Sequence, residues 1–159
     1  MRNMVFALLV GLVTIFSCDD STTSETIYLH SLQNNKIEKL SFNKIKNDGL
    51  IEYSYTNNKD AIKNIFLKYD QNKNVLIADL DTFLVTNKSF KTKKVNFEMY
   101  QSKEIKSHNT TFVFNEDYGL FATLGYGANF LFLKDSTSAN QREIIYKQLF
   151  LNLNKINVE

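Results

Sequence analysis

The chain has 159 residues, with 19 Lys and Arg against 17 Asp and Glu, a formal net charge of +2, no Pro or Trp and a single Cys. That near balance, with Arg2 and Arg142 the only arginines, excludes the concentrated basic surface of a nucleic-acid binder. The length suits one domain with its own core, and a lone cysteine excludes an internal disulfide, so packing must hold the fold.

The first predicted element opens with Met1-Arg2-Asn3-Met4, a short positive start, and continues through twelve mostly apolar residues, Val5 to Phe16. A bilayer span takes about 20 apolar residues, so this run instead has the form of a secretory signal. Cys18 follows directly on Ile15-Phe16-Ser17 and precedes Asp19-Asp20. The arrangement resembles the lipobox of bacterial lipoproteins. Ile15 and Ser17 fit the third-last and last positions before the cut, and Phe16 is bulkier than the usual residue between them. The resemblance is confined to this leader. It implies cleavage before Cys18, a diacylglyceryl group on the Cys18 thiol, and the lipid bilayer as partner through that group. The acidic pair Asp19-Asp20, with a composition rich in Lys, Asn, Ile and Phe, also resembles exported lipoproteins of Bacteroidetes. That implies the outer membrane, facing outward, in preference to the inner membrane.

Asp19 to Glu25 is small and polar and reads as a tether. Ile27-Tyr28-Leu29-His30 and the imperfect pattern Ile37, Leu40, Phe42, Ile45 read as strands. Asn47-Asp48-Gly49 is a turn signal leading into Leu50 to Tyr55, where Ile51, Tyr53 and Tyr55 share a face. Asn57 to Asp60 can cap a helix whose face carries Ile62, Ile65, Phe66 and Tyr69, at i, i+3, i+4 and i+7. Val75 to Val85 reads as one buried strand, and Asn87 to Lys94 as a basic loop. Val95, Phe97 and Met99 alternate with Asn96, Glu98 and Tyr100 as a half-buried strand. Three further strands, Thr110–Phe114, Leu120–Leu124 and Asn129–Leu133, are separated by glycine-bearing turns and suggest an antiparallel meander. Ser138 with Gln141 fits a capping box, opening a helix with the apolar stripe Ile145, Tyr146, Leu149, Phe150 and Leu153.

The expected organisation is a signal peptide over residues 1–17, a lipidated cysteine and tether over 18–25, and one α+β domain over 26–159. Its expected architecture is a curved antiparallel sheet of about six to seven strands packed by two helices, one of them C-terminal.

Candidate chemistry is sparse. Asp79-Leu80-Asp81-Thr82 resembles the first motif of haloacid dehalogenase-like phosphatases, which implies an aspartate nucleophile and a second aspartate as acid and base. The family's Gly-Thr is replaced here by Thr82-Phe83, and no acidic pair resembling its magnesium-binding motif follows. Thr123-Leu124-Gly125-Tyr126-Gly127 resembles a potassium-channel filter, but a glycine turn between strands explains the same residues. His30 and His108 have no nearby partner at metal-ligand spacing, and Gly-x-Ser-x-Gly does not occur. No cofactor is implied. Asp20-Ser21-Thr22 and Asp135-Ser136-Thr137 resemble the O-glycosylation motif of exported Bacteroidetes proteins, which implies sugar acceptors at Ser21 and Ser136. Thirteen Phe and eight Tyr supply the apolar bulk. The expected function is a non-enzymatic envelope module that binds a partner protein or a hydrophobic ligand. The alternatives are an envelope hydrolase using Asp79 and Asp81, and a structural or immunity-type partner of another envelope protein.

Overall fold

Residues 23–104, 110–125 and 129–154 are described in the computed structural model. The elements are β1 (Thr23–Ser31), β2 (Ile37–Asn47), β3 (Leu50–Thr56), a 3₁₀ turn (Ala61–Lys63), β4 (Ile65–Asp70), β5 (Val75–Ala78), β6 (Asp81–Lys91), β7 (Asn96–Ser102), β8 (Thr111–Asn115), β9 (Gly119–Leu124), β10 (Phe130–Leu133) and α1 (Ala139–Leu153). Each strand pairs antiparallel with the next, forming a closed barrel of ten strands. β1 completes the circle against β10, with Tyr28 opposite Leu133 and His30 opposite Leu131. Closure gives the first and last strands partners in place of exposed edges.

Period-two patterning decides what faces inward. Ile51, Tyr53 and Tyr55 on β3 and Leu67 and Tyr69 on β4 are buried together, while Glu52, Ser54 and Lys68 between them face out. An apolar inside with a mostly polar outside is the reverse of a membrane-spanning barrel. No helix among the described residues is long and apolar enough to cross a membrane. Aromatic rings fill the interior, Tyr53 meeting Phe114 edge-on at 5.2 Å and Tyr55 meeting Phe132 at 5.4 Å between centroids.

Short polar residues make the tight turns. Asp48 and Gly49 both have positive φ (39° and 86°), as a two-residue hairpin loop between right-twisted strands requires. Asn74 (φ 51°) and Asp79 (φ 50°) adopt the same left-handed conformation between β4 and β5 and between β5 and β6. Between β8 and β9 the register slips, Val113 facing Ala122 but Phe114 facing Leu120. Phe121 is thus the extra residue of a bulge. Phe121 and Ala122 consequently both join the outer core, while Leu120 turns inward.

The outer core lies beneath α1. Tyr146 and Leu149 are its buried helical members, packed with Met99, Val113, Phe121 and Leu131 of the sheet's outer face. β8 and β9 are therefore buried on both sides, which explains their continuous apolar sequence. Ser138 caps the helix in a capping box with Gln141, and Tyr146 Oη approaches the carbonyl oxygen of Asn129 at 3.1 Å, tying α1 to the end of the β9–β10 connection.

The curved sheet of six to seven strands with two helices is therefore corrected to a closed ten-stranded barrel with one α-helix among the described residues. The expected helix after Asp60 is one 3₁₀ turn followed by β4. Asp60 does cap it, accepting from the Ile62 N–H, but Ile65, Leu67 and Tyr69 continue at strand period. The single strand expected from Val75 to Val85 is a hairpin, β5 and β6, turned at Asp79-Leu80 with Leu80 fully exposed. β1 also starts at Thr23, inside the expected tether.

Candidate functional site

The barrel has two ends. At one lie the start of β1 and the β2–β3, β4–β5, β6–β7 and β8–β9 connections; the remaining strand connections lie at the other. The first end is open on one side. The pairing of β5 with β6 stops at Val75 opposite Leu84, so Val85 to Lys91 continue past β5 with β7 as their partner. The same end holds a pocket of about 580 Å³, within the usual range for small-molecule sites. Tyr69, Tyr100 and Phe114 form its aromatic wall, and Glu98, Lys94 and Asn115 supply polar groups.

Strand alternation places these groups. On β7, Phe97 and Met99 turn outward to the core under α1, so Glu98 and Tyr100 turn inward. Tyr69 arrives from β4 and Phe114 from β8. Tyr100 Oη lies 2.8 Å from Glu98 Oε2 and 2.7 Å from Asn74 Oδ1, and Tyr69 Oη lies 3.1 Å from the same Asn74 atom. A phenol has one proton, and the Glu98 carboxylate is the stronger acceptor. Asn74 then satisfies Tyr100 best with its amide turned to donate, a rotation that leaves its shape unchanged. Burial, and next the Glu98 carboxylate that accepts its hydrogen bond, push the Tyr100 phenol far above its ordinary range. Burial also raises Tyr69. Both hydroxyls thus stay protonated at physiological pH.

The β8–β9 turn crosses the mouth and is pinned there. The Glu116 carbonyl accepts from Tyr53 Oη at 2.7 Å and from Lys44 Nζ at 3.0 Å, and its carboxylate accepts from Gln71 Nε2 at 2.7 Å. The mouth can therefore hold a ligand against rigid rings and offer it a carboxylate, amides and phenols. Among the described residues no three His, Cys, Asp or Glu side chains converge as a metal site.

The sequence-predicted positions lie elsewhere. Cys18, Ser21 and His108 fall outside the described residues, as do Tyr126 and Gly127 of the filter-like motif. Ser136 is exposed in the connection from β10 to α1, accessible as a sugar acceptor must be. Asp79 is exposed in the β5–β6 turn and Asp81 opens β6, both at the barrel end opposite the mouth. They bring no carboxylate to the pocket. His30 is buried on the outer side of β1, under α1, with neither ring nitrogen finding a hydrogen-bond partner among the described residues. Glu98, Tyr100, Tyr69 and Asn74 were not among the sequence candidates, although the alternation at residues 95–100 places Glu98 and Tyr100 on one face. Comparison with protein-family models, with curated proteins and with solved structures finds no match for this chain.

Proposed function

We propose that the chain is a lipid-anchored, non-enzymatic envelope module whose barrel mouth binds an amphiphilic ligand. The anchor is Cys18 in its lipobox setting, and the acidic pair Asp19-Asp20 with the Lys-, Asn-, Ile- and Phe-rich composition supports a place in the outer membrane. The observation that carries the binding reading is the mouth itself: aromatic walls beside an inward Glu98 and two buried phenols, in a pocket of about 580 Å³. Inward carboxylates are costly in a barrel packed for stability alone. Here Glu98 holds a charge-assisted hydrogen bond and still lines open space, so it retains capacity for a donor on a ligand.

The reading is tested by native mass spectrometry of the full chain released gently from its own envelope. A co-purifying mass is expected on the parent and is lost or strongly reduced in Glu98→Ala and Tyr100→Phe. Identical ligand-free masses for parent and variants would overturn it. Metabolic labelling with a fatty-acid analogue tests the anchor separately: the parent is labelled and Cys18→Ala is not.

A further inference from the structure

We propose that the mouth faces the bilayer and that the β6–β7 hairpin docks on anionic lipid headgroups. The inference rests on the proposed Cys18 anchor. Four residues, 19–22, lie between Cys18 and Thr23, and the five steps from one Cα to the other span about 18 Å at most. β1 begins at the mouth end. Thr23 pairs with Lys44, which donates to the Glu116 carbonyl across the mouth. Glu25 pairs with Lys134 at 2.7 Å, and Lys134 lines the mouth pocket together with Lys94. A lipid on Cys18 thus holds this end of the barrel, and no other, against the membrane surface.

The same end carries a basic finger. Lys91 closes β6, and Lys93 and Lys94 sit in the turn that follows, all three exposed. Thr92 stiffens that turn, its N–H donating to the Val95 carbonyl at 2.9 Å and its Oγ1 accepting from the Val95 N–H at 3.0 Å. Other lysines of this rim are neutralised: Lys46 by Glu116, Lys73 by Asp70 and Lys134 by Glu25. Lys91, Lys93 and Lys94 are in no ion pair among the described residues. The hairpin projects with the overhang of β6 and β7, beyond the start of β5. Three unpaired cations on a stiff loop at the tethered end complement an anionic surface, whose pull on each lysine acts within about one Debye length, roughly 8–10 Å. Held there, the finger would keep the mouth open towards lipids and envelope amphiphiles rather than towards bulk water.

The test uses the mature lipidated chain in vesicles, either phosphatidylcholine alone or phosphatidylcholine with a third phosphatidylglycerol. Amines are acylated with a water-soluble reagent and each lysine is read by mass spectrometry. Lys91, Lys93 and Lys94 should react at least about fivefold more slowly in the anionic vesicles, with protection lost at high salt. Lys59, at the far end of the barrel, should react equally in both. Equal reactivity of the three hairpin lysines in both vesicles would overturn the docking while leaving the anchor intact. Failure of the chain to float with either vesicle would instead refute the anchor, and with it this orientation.

Discussion

The phenolic oxygen of Tyr55 accepts a hydrogen bond from the backbone N–H of Leu120, 2.6 Å away, in the fully buried interior of the barrel. Leu120 stands at the β9 bulge, where the ladder to β8 shifts, and the tyrosine on β3 reaches across the barrel to satisfy it. The neighbouring Gly119 makes room. A Cβ there would lie 2.5 Å from Tyr55 Oη, and its φ of +85° favours glycine independently. Tyr55→Phe should therefore cost about 1–3 kcal/mol, the usual penalty for orphaning a buried donor. Gly119→Ala should cost more, since it adds backbone strain to the clash. Urea denaturation measures both; a Tyr55→Phe midpoint equal to the parent's would show that the bond contributes nothing.

Much of the strand inventory is legible locally, because a half-buried strand writes its face in alternate residues. The segment after Asp60 is not, since Ile62, Ile65, Phe66 and Tyr69 satisfy a helical face. The strand period of Ile65, Leu67 and Tyr69 wins because pairing with β3 buries Leu67 and Tyr69 inside a sheet. Closure is invisible for a different reason. Tyr28 meets Leu133 across more than one hundred residues, and neither has a local feature that names its partner. The mouth was half legible. The Glu98 and Tyr100 face can be read from alternation, but which face turns inward depends on α1 covering Phe97 and Met99.

His30 makes stability depend on pH. His30 is 2% exposed, with neither ring nitrogen hydrogen-bonded among the described residues, and lies near the Arg142 guanidinium of α1. Burial, and secondarily that positive charge, lower its pKa below the ordinary 6.5. The unfolded chain therefore takes up the proton first as pH falls. The contribution is complete above about 6.5 and declines between there and the lowered native value. His30→Phe, similar in shape and without a titrating group, should flatten this part of the stability profile. An unchanged slope in the variant would assign the pH dependence elsewhere.

The second core predicts a sharp contrast along α1. Leu149 is fully buried beneath the helix, whereas Ile144 on the same helix is 55% exposed. Leu149→Ala should cost about 2–5 kcal/mol, from lost transfer energy and the cavity left behind. Ile144→Ala should stay within about 0.5 kcal/mol. Similar urea midpoints for the two variants would mean that α1 is not docked through Leu149.

The pairing of Glu98 with Tyr100 separates binding from stability. Tyr100→Phe removes the proton that Glu98 accepts at 2.8 Å but keeps the ring against Phe114. Its stability cost should be near the value for a hydrogen bond to a charged group, about 1.5–3 kcal/mol, reduced because the pocket admits water to Glu98. Glu98→Gln keeps the shape and one accepting oxygen for Tyr100 while exchanging the charge and the other oxygen for an amide NH2, so it should be milder in stability. The two should rank oppositely for a ligand that offers a cationic or strong donor group, where loss of the carboxylate matters most. Titrating parent and variants with the co-purified molecule, and measuring urea midpoints in parallel, gives both orders. Ligand affinities that merely follow the stability order would reduce the Glu98–Tyr100 pair to a structural element.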